Sequence, residues 1–171
     1  MIRSLSFTYL FVILAVGYLG GTLLFRELPE TSTEKMLLIF DARVVDGQDV
    51  NVIWPALVTI SFFVIAFVLS NFKYSRFPVI FIGAVKCVVF GLSSGYLLAA
   101  GMKMVDYSIW WFPFQLLICF VYLMFCAILT PPFFLRTTGK RVRNNKALVI
   151  LAFSGAVLTM AEFAIFYLLL A

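Results

Sequence analysis

Apolar residues in this chain come in long runs rather than in stripes, and short clusters of Ser, Asn, Asp, Lys, Arg and Pro separate them. Five runs stand out, over residues 6–25, 52–70, 77–101, 108–135 and 147–170. Each holds about 19 to 28 residues, and a helix rising ~1.5 Å per residue needs roughly 20 to cross ~30 Å of hydrocarbon. The pattern predicts an all-α, polytopic integral membrane protein: one transmembrane domain over residues 1–171 with five spanning helices. The fourth run carries Pro113 near one end and Pro131 and Pro132 near the other, so its regular core is expected over 114–130, with kinked or frayed ends. The first run follows Arg3 and closes on Gly17, Gly20 and Gly21. It exceeds the ~7–15 residues of a signal-peptide apolar region and is read as an uncleaved anchor.

The polar stretch between the first two runs, residues 26–51, has a pattern of its own. Thr31 followed by Glu34 has the form of a capping box, Leu37, Phe40 and Val44 recur at helical spacing, and Gly47 is a natural stop. This predicts a short amphipathic helix over about 31–46, lying on the outer membrane surface. Leu37, Phe40 and Val44 either cover the mouth of the bundle or offer a docking site to a partner.

Composition sharpens this picture. With 64% of residues hydrophobic and 12% charged, a water-soluble domain could not bury its apolar surface, so the bilayer is the solvent. Histidine is absent, which removes the commonest metal ligand and neutral-pH proton carrier; no metal and no cofactor is expected. The net charge of +5 sits beside the apolar runs and reads as topology rather than nucleic-acid binding. Arg3, Lys73, Arg76, Arg136, Lys140, Arg141, Arg143 and Lys146 fall on alternate connections, against Arg26, Lys35, Arg43 and Lys103 on the other side. The positive-inside rule then places the N-terminus in the cytoplasm and the C-terminus outside the cell membrane. Trp54, Trp110 and Trp111 fall near the outer interface, where an aromatic belt is expected. The run from Arg136 to Lys146 also suits anionic lipid.

Two charges interrupt the runs: Lys86 in the third and Glu162 in the fifth. A charge at that depth is rare unless it is paired or functional. At ~1.5 Å per residue the two lie ~9 Å apart in depth, a gap that helix tilt and long side chains can close. The expectation is a buried Lys86–Glu162 pair, direct or through Gln115, Tyr122 or water; the alternative has Lys86 snorkelling to the cytoplasmic surface. Gln115, Cys119, Tyr122, Cys126 and Thr130 share one helix face, as do Gly155, Thr159 and Glu162, so a modestly polar interior is expected. Gly17 and Gly21, and Gly83, Cys87, Gly91 and Gly95, recur at four-residue spacing, which suits close helix packing within the bundle or in a homo-oligomer. Cys87, Cys119 and Cys126 read as small buried packing residues. No G-x-S-x-G, H-E-x-x-H or phosphate-loop pattern is present, and an enzyme is not expected.

Several of these residues, taken in order, carry a resemblance. They are Ser70-Asn71-Phe72-Lys73 after the second run, Lys86 with Phe90-Gly91 to Gly95-Tyr96 in the third, Pro113 and Gln115 opening the fourth, and Glu162 in the last. Together with a first span followed by a short outer segment, they resemble the stage II sporulation protein M family. The resemblance implies a non-enzymatic membrane scaffold or accessory subunit of a cell-envelope complex, one that organises peptidoglycan-degrading partners. Relative to that family the N-terminus is short and the C-terminal tail almost absent, which removes partner contacts through such extensions from the expectation. The other reading is a transporter component, which would place a cavity at mid-membrane lined by Lys86, Gln115, Tyr122 and Glu162, where a scaffold would be tightly packed.

Overall fold

Apolar chain surrounded by lipid must satisfy its own backbone, and among the described residues it does so with helices and no strand. A computed structural model describes residues 2–46, 53–72, 76–130 and 145–170. In order these form α1 (Ile2–Glu27), α2 (Glu30–Asp41), α3 (Arg43–Asp46), α4 (Ile53–Leu69), α5 (Arg76–Ala99), α6 (Met104–Asp106), a π-helical turn (Tyr107–Trp111), α7 (Phe112–Leu129) and α8 (Asn145–Leu170). Four stretches, Phe7–Glu27, Phe77–Ala99, Met104–Leu129 and Asn145–Leu168, are long and apolar enough to cross a membrane. The second expected run shortens to the 17 residues of α4, because Ser70, Asn71 and Phe72 fold back on Ala66, Val68 and Leu69 in tight turns. Most of the basic run, residues 136–144, and Lys73 lie outside the described residues.

The helix ends follow local chemistry. α5 stops where Gly101 takes φ +83°, letting the Gly101 and Met102 amides donate back to the Leu98 and Leu97 carbonyls, a Schellman stop. The fourth run keeps its irregularity as one widened turn: the Phe112 amide donates to the Tyr107 carbonyl, just ahead of Pro113. Proline has no amide hydrogen and crowds the preceding turn, so a widened turn immediately before it relieves both problems.

α1 lies along α5, and their closest crossing is at glycine. A Cβ added at Gly21 would strike the Val88 carbonyl, and one at Gly91 would strike the Tyr18 carbonyl, so the two backbones touch. Gly17 faces Cys87, Gly83 faces Leu123 and Gly95 faces the Phe25 ring, so all five small positions pack inside this chain. α7 fills the space between α5 and α8, with Ile118, Cys119, Tyr122, Leu123 and Cys126 buried. The perimeter is apolar: Phe7, Phe11, Val16 and Leu19 on α1, Leu57 and Ile60 on α4, and Val149, Phe153 and Met160 on α8 are all exposed. So large an exposed apolar surface is stable against acyl chains rather than water, and the protein is a membrane protein.

Of the tryptophans expected near the outer interface, Trp54 is half exposed, whereas Trp110 and Trp111 are each 1% exposed and pack inside the protein. Their rings meet edge to face with centres 5.2 Å apart, and the Trp110 ring centre lies 4.8 Å from that of Phe166.

Candidate functional site

Three of the four buried charged residues, Asp41, Arg43 and Glu162, meet at one place, and the segment between α1 and α4 brings two of them there. Pro29 ends the exit from α1 and precedes the first turn of α2, whose leading amides have no side-chain cap; Ser32 and Thr33 instead donate their amides to the Pro29 carbonyl. The expected Thr31–Glu34 capping box is therefore not formed, and Glu34 accepts a hydrogen bond from Tyr96 Oη at 3.1 Å. Thr33, Leu37 and Asp41, four residues apart, form a buried face. Phe40 reaches Phe62, ring centroids 6.1 Å apart, and Phe62 stands ~13 Å along α4 from its first residue. Trp54 Nε1 donates to the Ile39 carbonyl at 3.0 Å. α2 is thus packed against α4 and α5, with both of its ends beside the C-terminal end of α5: Glu30 lies near Tyr96 and Ala100, and Arg43 and Val44, just past the other end, lie near Leu97 and Ala100.

Of the two readings open for Leu37, Phe40 and Val44, the burial fits residues that cover the bundle and not a free docking face: Leu37 is fully buried, Val44 is 5% exposed and Phe40 is half-buried. The apolar residues that α2 leaves exposed are Met36, Leu38 and Ile39.

At the C-terminal end of α2 the chain turns through Ala42, and Arg43 folds back onto Asp41. Asp41 Oδ1 accepts from the Arg43 amide at 3.2 Å and from Nε at 2.9 Å, and Oδ2 accepts from Nη2 at 2.6 Å. Nη2 also donates to Glu162 Oε1 at 2.8 Å. Gln115 Nε2 donates to both Glu162 oxygens at 3.1 Å. The guanidinium lies 4.5 Å from the Phe163 ring centre and 5.6 Å from that of Phe166. Glu162 is 1% exposed, and the Arg43 side chain likewise. A planar fork of five donors suits this double carboxylate contact, and guanidinium remains charged under all ordinary conditions. The cluster joins α2, α3, α7 and α8.

The expected Lys86–Glu162 pair is not made: among the described residues, the ion pairs of Glu162 and Asp41 are both with Arg43. Lys86 is buried and its Nζ sits 5.5 Å from the centre of the Phe62 ring. The physical reason is reach. α3 delivers an arginine to the depth of Glu162, whereas Lys86 is held level with Phe62, whose carbonyl accepts from Tyr122 Oη at 3.0 Å. Of the other interior polar residues, Gln115 joins the cluster, whereas Thr159 Oγ1 donates to the Gly155 carbonyl of its own helix. Cys87, Cys119 and Cys126 are free and buried.

Sequence reasoning missed Asp41 and Arg43, whose signal was present. An Asp-x-Arg pair follows a helical face of Thr33, Leu37 and Asp41, and apolar Val44 and Val45 come next.

Several grooves surround the bundle. One of about 430 Å³ between α4 and α8 is lined by Ala56, Ile60, Phe63, Gly155, Thr159 and Phe163. Another of about 320 Å³ includes Arg43, Lys103, Asp106 and Trp110, and one of about 280 Å³ lies beside Phe25 and Tyr96. None of these three is lined by Lys86, Gln115, Tyr122 or Glu162. Comparison of the chain with family models, with curated proteins and with solved structures finds no match.

Proposed function

We propose that this protein is a non-enzymatic membrane scaffold or accessory subunit of a cell-envelope assembly. The observation that carries the reading is the closure of the polar interior. Asp41, Arg43, Gln115 and Glu162 spend their hydrogen bonds on one another and are at most 7% exposed. A transport site needs groups that trade partners with a cargo. A cluster of mutually bonded groups tying four elements together, with Arg43 Nη1 left over, is what fixes a single packing.

In this reading α4 counts as the fifth span, with the N-terminus cytoplasmic and the C-terminus outside, as the distribution of Lys and Arg implies. The α2–α3 segment crosses the outer mouth of the bundle, and Arg43 reaches inward from it to Glu162. Lys86, Pro113, Gln115 and Glu162 support a place near the stage II sporulation protein M family, and with it peptidoglycan-degrading enzymes as the partner class. Met36, Leu38 and Ile39, the exposed side of α2, are the contact surface we favour.

The test is purification of the tagged full chain from its own membranes in mild detergent. The expected result is a fixed-stoichiometry complex with an envelope protein, lost in Ile39→Arg. A chain that purifies alone, and that in proteoliposomes drives solute flux abolished by Glu162→Gln, would make it a transporter instead.

A further inference from the structure

The crevice at the outer end of the bundle has an uncommon chemistry. α3 forms one wall with Arg43 and Val44, the end of α5 and the turn after it form another with Leu97 and Lys103, and Asp106 and Trp110 close it. Two of these side chains carry N–H groups that donate to nothing: Arg43 Nη1 and Trp110 Nε1 are both buried and unpartnered. They lie side by side, with the guanidinium carbon 5.9 Å from the Trp110 ring centre. An orphaned buried donor is destabilising, more so on a charged group, so both gain from any acceptor that enters. Lys103, exposed, and Asp106, half-buried, stand at the rim, and no ion pair joins them among the described residues.

The charge around the crevice selects among acceptors. Arg43 already faces two carboxylates, Asp41 and Glu162, so a bare anion would meet their repulsion. A molecule with acceptor oxygens at one end and a cation at the other meets none: its oxygens face Arg43, Trp110 and Lys103, and its cation faces Asp106. At about 320 Å³ the crevice has room for far more than one water, whose share of liquid volume is ~30 Å³. Its walls are the last turn of α5 and the start of the next spanning stretch, the depth at which lipid phosphates and ester carbonyls lie.

We propose that this crevice binds the headgroup of a zwitterionic phospholipid, phosphate or ester oxygens on Arg43 and Trp110 and the ammonium on Asp106. Both donors are buried, so binding requires side chains that line the crevice to move aside. The inference rests on the membrane setting of this end of the bundle and is independent of the scaffold role.

Trp54→Phe leaves Trp110 and Trp111 as the only fluorescent indoles among the chain's 3 tryptophans. The full chain in this background, stripped of lipid in a non-ionic detergent, is titrated with phosphatidylethanolamine and, separately, with phosphatidylglycerol in mixed micelles. The expected result is a saturable emission change with phosphatidylethanolamine, tighter than with phosphatidylglycerol. Asp106→Asn, at the rim and outside the ionic cluster, should weaken it about tenfold without moving the melting temperature. Trp110→Phe should weaken it too. Equal or tighter binding of phosphatidylglycerol, or an unchanged affinity in Asp106→Asn, overturns the assignment. An emission signal that never saturates means that water fills the crevice and lipid only surrounds it, and overturns it as well.

Discussion

At the scale of single residues, Arg43 is the position on which the interior turns. Removing it leaves two carboxylates buried together with only Gln115 to serve them, and stranding a buried charge typically costs about 3–5 kcal/mol. Arg43→Met is therefore expected to lower the melting temperature in detergent far more than any other substitution in the cluster. Glu162→Gln keeps an acceptor for Arg43 and loses only charge, so a smaller loss of about 1–2 kcal/mol is expected. Lys86 behaves differently. Its ammonium lies over the face of Phe62, an interaction of roughly 0.5–2 kcal/mol, so Lys86→Met should be mild. In a double-mutant cycle Lys86→Met and Glu162→Gln should add to within about 0.5 kcal/mol, as sites without a shared partner do. Coupling of 2 kcal/mol or more between them would restore the pair read from the sequence and remove Arg43 from its place.

Among the elements, the α1–α5 crossing makes the sharpest demand on side-chain size. Gly21 and Gly91 bring backbone against backbone, and only rigid atoms are there to yield. Gly91→Ala is expected to lose about 1–3 kcal/mol, the usual range for overpacking, and Gly91→Leu more. Gly20, one residue from Gly21, has nothing within 4 Å of an added Cβ, so Gly20→Ala should leave the melting temperature unchanged. Equal sensitivity at positions 20 and 91 would mean that the crossing is not at these glycines. The long apolar helices and this small-residue seam were legible because length and spacing survive in any context. The packing of α2 was not. Its pattern of Leu37, Phe40 and Val44 reads the same whether the apolar face meets lipid headgroups or α4 and α5, and one helix viewed alone does not say what stands opposite.

For the whole molecule, the arrangement in the membrane can be read from labelling. In a chain with Cys87, Cys119 and Cys126 replaced by alanine, a cysteine at Lys103 should react with an impermeant maleimide added outside, and one at Lys140 only after permeabilisation. A cysteine at Ile39, on the exposed side of α2, should also react from outside, as a helix across the outer mouth of the bundle requires. The polar network escaped the sequence for a reason of scale as well: Lys86 and Glu162 were visible as interruptions of apolar runs, but Arg43 looked like an ordinary loop charge, and only the third dimension brings it to Glu162. That meeting spans 119 positions along the polymer. At synthesis rates of about 5–20 residues per second, the guanidinium leaves the ribosome on the order of 10 s before its distant carboxylate exists. Until α8 is made Arg43 lacks that partner, so a polypeptide that stops short of α8 is expected to hold the α2–α3 segment more loosely and to lose it sooner to limited proteolysis.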